Sequence, residues 1–468
     1  MEHIIQLFWE LAKNIINKAY SGGIYNLDSF ASDVRDNCEE VARAIIEAIF
    51  NELNQIIRAD KSGRKECGLV LKEKDRPREL LTALGKLHIP RDYYYDKNAE
   101  KYVSVLDALA SLRPYQRVGD EVGAKMVDLS TEHSYAKSAA LASSGKVSRQ
   151  TVKNFIAKAP TLELHPAVTE KKVVKELHIF ADEDHAHLQK PRKSKGKASK
   201  IVPLVTVTEG IDMTDAKRHK TINPTYFVEE TFRPKALWES VEGYLGSTYD
   251  MAQVEKIYVH GDGGGWIKNG LNDLPQTVHV MDGYHLEKRL RALDNKFPGR
   301  RVAIRLSLAL RKDDKERVDA ILKSLYAIAE EENQEKSITE MGTYLFGNWE
   351  AIVNRKKLNI PGSCTEGQVS HVLSKRFSRD PLGWSEAGLG KLTKLRVYKK
   401  NGGKIKAADF KEEQPATYRE YAEQIIEEAM AGAKDGSLFE KETPIFDVAS
   451  GTQNLLRHYG ATQNTLWN

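Results

Sequence analysis

Nowhere does the chain stay apolar and uncharged for the roughly 20 residues that a membrane-spanning helix needs, so no span is expected. Cysteine is scarce. Cys38, Cys67 and Cys364 are the three in 468 residues, and they lie far apart. Such spacing builds neither a zinc knuckle nor a disulfide framework, and a reducing cytoplasm is the natural expectation. The opening Met1-Glu2-His3 lacks the basic-then-apolar order of a signal peptide. A strong charge of one sign is missing too: formal net charge is +5 and the pI is near 8.7. That balance is compatible with a nucleic-acid partner without identifying one. What remains is an ordinary globular composition, 41% hydrophobic and 29% charged, in a chain long enough for two or three cores.

Residues 1–60 read as an N-terminal helical region. Val34, Cys38, Val41, Ile45, Ile49, Leu53 and Ile56 recur at three- and four-residue steps, which predicts a core-facing stripe, with a dimerising helix as the alternative. Residues 61–110 read as a small antiparallel sheet: Leu80–Leu84, Leu87–Tyr95 and Tyr102–Leu106 are strand-like, with turn material at Asp96-Lys97-Asn98-Ala99. In 111–160, His133–Ala142 and Val147–Ile156 flank a turn containing Gly145, with Ser148 placed to cap the second helix. This is a helix-turn-helix pattern. Val152, Phe155 and Ile156 would face inward, and Arg149, Gln150, Lys153 and Asn154 outward, toward phosphates and base edges. A helical hairpin that binds no DNA is the alternative.

Leu177–Gln189 is the stretch around which the rest is organised. An apolar run, Leu177-His178-Ile179-Phe180-Ala181, meets Asp182-Glu183-Asp184-His185. Crowded carboxylates at a strand end repel one another and hold protons or cations. A short strand through Gln189 is expected next, then a solvated loop whose Arg192, Lys193, Lys195 and Lys197 could follow a phosphate backbone. Ile201–Val207 reads as a further strand. A helix over 235–245 follows, with Leu237, Val241 and Leu245 at four-residue steps, then strands 254–260 and 277–281 ending in Asp262 and Asp282. Three strands, a helix and two strand-and-acid units give the order of a ribonuclease-H-like α/β domain with a mixed sheet, over 171–285 and 358–400. Residues 286–357 read as an all-helical insertion (288–293, 312–329 and 338–353), and 401–468 as a C-terminal region containing an acidic helix.

Acids on separate strands and on a later helix can converge above a sheet, and phosphodiester cleavage needs such convergence. Two divalent cations about 3.5–4 Å apart activate the attacking oxygen and stabilise the leaving one. Mg²⁺ or Mn²⁺ is expected, since hard cations prefer carboxylate oxygen. Asp182 would bridge the two ions, with Asp262 and Glu366 each completing one. Asp184 competes for the first position and Glu350 for the last. Asp282 is either a partner of His285 or simply the cap of a helix beginning at Gly283.

Four blocks in order carry a family likeness: Ala181-Asp182-Glu183-Asp184-His185 with Leu188-Gln189, Gly261-Asp262-Gly263 with Trp266-Ile267, Asp282-Gly283-Tyr284-His285, and Ser363-Cys364-Thr365-Glu366-Gly367. Val369-Ser370-His371-Val372-Leu373 and Gly383-Trp384-Ser385 continue the last. With them the chain resembles the DDE transposases of bacterial insertion sequences, and within that class the ISLre-type. The resemblance implies metal-binding acids at Asp182, Asp262 and Glu366, and a functional Asp282–His285 pair matching a Cys/Asp-x-x-His signature. It implies cleavage of double-stranded DNA at transposon ends and transfer to target DNA, by a nucleoid-associated homo-oligomer. A divalent-metal nuclease or resolvase would need the same acids, and an inactive regulator could keep the helix-turn-helix alone.

Overall fold

The computed structural model describes residues 2–22, 26–143, 146–165, 168–189, 198–212, 214, 219–358, 364–380, 383–411 and 416–434. They form two compact units, one of residues 1–119 with 411–468, the other of residues 120–410. No helix among the described residues is long and apolar enough to cross a membrane. The turn glycine Gly145 and the loop cations Arg192, Lys193, Lys195 and Lys197 lie outside the described residues.

In the first unit, helix Leu27–Ala59 packs on strands β1 (Leu69–Thr82), β2 (Gly85–Asp96) and β3 (Lys101–Val103). Its packed face is Ile46, Phe50, Leu53 and Ile57, while Cys38 and Ile49 of the expected stripe are exposed. Polar contacts set that rotation. Buried Asn54 accepts from the Asp92 N–H at 3.0 Å, and Arg58 Nε donates to Asp92 Oδ2 at 2.7 Å. β1 begins eleven residues before the expected strand at Leu80, because its first half is charged and shows no apolar alternation. Tyr93 lies between Arg76 and Arg91, with ring distances of 4.7 and 5.0 Å, so this tyrosine serves cross-strand packing. Val105 and Leu106, read as strand, belong to a short helix, Val105–Leu109. Helix Ala416–Lys434 completes this core with Ala422.

The second unit is built on a five-stranded mixed sheet. β4 (Glu176–His187) pairs antiparallel with β5 (Ser199–Thr208). A two-stranded ladder, β6 (Gly210–Asp212) with β7 (Lys220–Ile222), precedes β8 (Thr225–Phe227), which pairs antiparallel with β5. β9 (Lys256–Gly261) runs parallel to β4, and β10 (Thr277–Met281) parallel to β9. The order is β10-β9-β4-β5-β8. Two expected strands, one ending at Asp182 and one reaching Gln189, are thus a single strand. Its acids do not break it because Asp182 and Asp184 share one face while β5 pairs with it continuously from His178 to His187.

On one face of this sheet Leu177, Ile179, Ala181, Val205 and Val207 meet Leu237, Val241 and Leu245 of helix Pro234–Thr248, the spacing expected from sequence. Helices Gly283–Asp294, Val302–Arg311, Lys315–Tyr326, Glu332–Gly347 and Trp349–Lys357 share a core of their own through Leu290, Leu306, Leu322, Leu345 and Ile352. The expected 312–329 segment is shorter, with Asp314 capping its helix through the Arg317 N–H at 2.9 Å. The expected 338–353 segment is divided at Asn348 between two helices that extend beyond it at both ends. Both sheet edges carry an asparagine. Asn354 Nδ2 donates to the His279 carbonyl of β10 at 3.0 Å, and Asn401 receives the Tyr226 N–H of β8 at 2.8 Å while donating to its carbonyl at 2.9 Å.

Arg396, 1% exposed, fastens the segment after Glu366 to the helix Asp120–Ser130 end. It donates to the carbonyls of Val372, Thr131 (2.6 Å) and His371 (2.9 Å) and pairs with Glu132 at 2.8 Å. Arg396→Met leaves three backbone carbonyls and Glu132 without their partner, two of the carbonyl contacts being fully buried, so urea denaturation should show a loss of about 3–5 kcal/mol. An unchanged midpoint would mean the guanidinium holds nothing together.

Candidate functional site

Strand register brings the acids to one level. Phe180↔His260 is the last β4–β9 pair and Met281↔Gly261 the last β9–β10 pair. Asp182 and Asp262 therefore each stand two residues past the first pair, and Asp262 and Asp282 each one past the second. Gly261 lets the strands approach: a Cβ there would sit 3.2 Å from the Ala181 carbonyl oxygen and 2.8 Å from Ile267 Cδ1. Gly263, at φ +84°, turns the chain where a Cβ would fall 2.3 Å from Asn348 Oδ1. Asp262 Oδ1 then accepts the Gly264 N–H at 2.9 Å, opening helix Gly265–Asp273.

The fourth acid arrives from far along the chain. Glu366 lies on the short helix Thr365–Val369, whose Gln368 Nε2 donates to Thr221 Oγ1 of β7 at 3.1 Å. A π-helical turn, Ser370–Ser374, follows directly; such turns recur at functional sites. Ligand atoms of Asp182, His285 and Glu366 all lie within 4.8 Å of one another. Asp262, expected in that trio, stands outside it, and His285 takes the third place.

Asp282 is fully buried and does two things at once. Its Oδ1 accepts the Tyr284 N–H at 3.2 Å and caps helix Gly283–Asp294, while Oδ2 meets His285 Nδ1 at 2.7 Å. Cap and imidazole partner, posed as alternatives by the sequence, are the two oxygens of one carboxylate. Gly283 leaves room for the Arg355 guanidinium, 2.4 Å from where a Cβ would be, and Arg355 donates to the Met281 carbonyl at 3.3 Å.

Charge is unevenly shared here. Burial pushes the Asp182 carboxyl up to about 7, with repulsion from Asp262 and Asp282 added; the Glu183 N–H at 2.9 Å and His285 oppose that rise. The hydrogen bond that the ring donates to Asp282, reinforced by the Asp182 and Asp262 charges, raises His285 above its ordinary value against the cost of burial. The positive helix end favours a neutral ring, but the carboxylates are closer and outweigh it. His260, stacked on Phe180 at 4.5 Å beneath the acids, is pushed the other way by burial. The group is suited to a cation, or to moving a proton between carboxylate and imidazole.

Asp184 is placed differently from its neighbour two residues back. Its Oδ1 accepts from Ser374 at 3.1 Å and Ser378 at 2.9 Å, tying β4 to the helical segment after Glu366. Glu350 is exposed in the first turn of helix Trp349–Lys357 and joins no such acid group among the described residues. Arg149, Gln150, Lys153 and Asn154 are exposed on helix Arg149–Lys158, capped by Ser148, and Val152 and Ile156 are buried. Sequence reasoning missed Asn348, Arg355 and the Trp266–Glu183 hydrogen bond (2.6 Å). Nothing in spacing marks them, since two come from the helical insertion.

These features define a mixed α/β protein with an acid–imidazole cluster at the carboxyl ends of parallel strands. The chain belongs to the Uncharacterised protein family (UPF0236), which it matches over residues 22–414. A UPF0236 protein of Caldanaerobacter subterraneus subsp. tengcongensis is 34% identical over 410 residues, covering 87% of this chain and 83% of that protein. Another from the same organism is 33% identical over 424 residues, covering 90% and 88%. A UPF0236 protein in the vanSb 3′ region of Streptococcus gallolyticus is 24% identical over 322 residues, covering 65% and 69%. Among solved structures, the Drosophila P element transposase strand transfer complex aligns with 65% of this chain and 90% of its own at 10% identity. Its TM-score of 0.21 is too low for a shared fold to follow.

Asp282→Asn should lower the His285 pKa toward the ordinary value, because the strongest influence raising it is removed. NMR titration of the imidazole in metal-free protein reads this directly, and an unmoved midpoint would reject the pairing. Asp282→Ser retains a capping oxygen, so its Tm should stay near that of the parent while the imidazole loses its partner.

Proposed function

We propose that this protein is a DNA strand-transfer enzyme of the DDE transposase class. It would bind the double-stranded ends of a mobile element, cut them, and join the freed 3′-hydroxyls to target DNA. The observation that carries this reading is the meeting of Asp182 with Glu366, two acids on different elements with the helical block between them in sequence. The strand order supports it as well. Three antiparallel strands followed by two parallel to the first, with β4 central, is the arrangement a ribonuclease-H-like domain requires. The name of one relative joins eleven locus designations, as expected of a gene carried at many places in one genome.

The donor set fits a hard divalent cation, Mg²⁺ or Mn²⁺. Asp182 and Glu366 would hold it, with Asp262 available to a second ion and the imidazole favouring Mn²⁺. Bound there, the cation would supply the Lewis acidity that phosphodiester cleavage needs. The chain's own residues do the rest. Asp182 would hold the cation as its carboxylate, having lost the proton that burial favours. Asp282 fixes the His285 ring through Nδ1, which leaves Nε2 to hold a ligand or a proton. The exposed face of helix Arg149–Lys158 offers Arg149 and Lys153 to DNA phosphates.

The experiment uses labelled DNA carrying the genomic sequence that flanks the gene, with Mg²⁺ or Mn²⁺ added. Cleavage followed by joined product is expected. Asp182→Asn, Asp262→Asn and Glu366→Gln should each lower it at least about 100-fold with little change in Tm. Asp184→Asn should cleave, because that carboxylate serves two serines. Normal cleavage by Asp182→Asn would overturn the assignment, and cleavage without joining would make the protein a nuclease on the same scaffold.

A further inference from the structure

Two arginines among the described residues of the second unit are buried, and their surroundings differ. Arg396 is satisfied by three carbonyls and Glu132. Arg376, 4% exposed, has a single hydrogen bond among the described residues, from Nε to the Ser130 carbonyl at 2.9 Å, and no carboxylate within ion-pair distance. Its guanidinium lies 4.8 Å over the Trp384 ring. Burial pushes it down to about 10, as expected of a cation short of a counter-charge. Buried charges are costly unless paired, so an arginine left like this is suited to an anion from outside.

Arg376 lines a cleft of about 450 Å³. One wall is the face of helix Arg149–Lys158 bearing Arg149, Gln150 and Lys153. The other is formed by Gln189 and Trp384. That second wall is built by pairing: Trp384 N–H donates to the His187 carbonyl at 2.9 Å, and Gln189 N–H to the Trp384 carbonyl at 2.8 Å. Tyr135 meets Trp384 edge-on, with ring centroids 6.2 Å apart. Among the described residues three cations line the cleft and no acid does.

A recognition helix enters a major groove about 12 Å wide as a protruding ridge. Here the basic face of the helix is instead one side of a concavity, which has room for about one nucleotide and not for a duplex. We propose that the cleft binds an unpaired stretch of DNA, with a phosphate on Arg376 and a base against Tyr135 and Trp384. Basic walls with an aromatic platform are the usual means of holding single strands. The cleft lies just past the end of β4, its Gln189 seven residues along the chain from Asp182 and on the order of 20 Å away. It would therefore hold a strand separated from its complement near the acids. The proposal rests on the reading of the protein as a DNA-acting enzyme.

The test compares two labelled duplexes of the same sequence, one blunt and one with a short single-stranded extension, by fluorescence anisotropy on the full chain in chelator. The extension should tighten binding about tenfold, the worth of one stacked base. Arg149→Ala with Lys153→Ala should bring the ratio of the two affinities near one, and Arg376→Lys, which keeps charge but loses the planar fork, should reduce it. Circular dichroism and Tm confirm that the variants fold. Equal affinities in the parent protein, or a ratio unchanged in the double variant, would overturn the cleft assignment. If metal-dependent cleavage persists in that case, the enzyme reading stands without it; if no DNA binds in any form and none is cut, both fall.

Discussion

Electrostatic repulsion among Asp182, Asp262 and Asp282 is the constraint to which the second unit is fitted. Parallel strands end where their register ends, so acids placed just beyond matched pairs must share a level, and the middle of a sheet gives them little water. The protein meets this cost locally. Asp282 receives a helix N–H and an imidazole, Asp262 receives the Gly264 N–H, and Asp182 keeps a proton near neutral pH. Without those arrangements the buried Asp182 and Asp282 and the half-buried Asp262 would repel one another at the strand ends.

The same economy explains why glycine is dense there. Gly261 and Gly263 are set by steric need from within the protein, from Ile267 and Ala181 in one case and Asn348 in the other. The run Gly261-Asp262-Gly263-Gly264-Gly265 is therefore a fitted joint between sheet and insertion, and only Gly265 faces open space on its Cβ side.

Much of this could be read from the sequence where a residue's role depends on its neighbours in the chain. The helix at 234–248, strands β9 and β10 and the Ser148 cap all follow from local periodicity or capping chemistry. What stayed hidden depends on distant partners. The charged half of β1 is a strand because β2 pairs with it, and β4 runs through its acids because β5 does the same. Helix Leu27–Ala59 turned its stripe by one residue to satisfy Asp92. In the site, Asp182, Glu366 and the Asp282–His285 pair were marked by motif and spacing. Asn348 and Arg355 were not, since they reach the acids from the far side of the insertion.

The two asparagines on the rims of the sheet have a consequence for how copies of the protein can meet. An exposed strand edge is a template onto which another chain can add, and proteins that leave one open invite fibres or swapped strands. Asn354 occupies a carbonyl of β10, with Arg355 on the next outward one, and Asn401 takes both the donor and the acceptor of Tyr226 on β8. Side-chain amides thus imitate a sixth and a seventh strand at the positions where pairing would start. At those positions of the five-stranded sheet the groups that a further strand would pair with are already taken, so an added strand would first have to displace a side-chain amide.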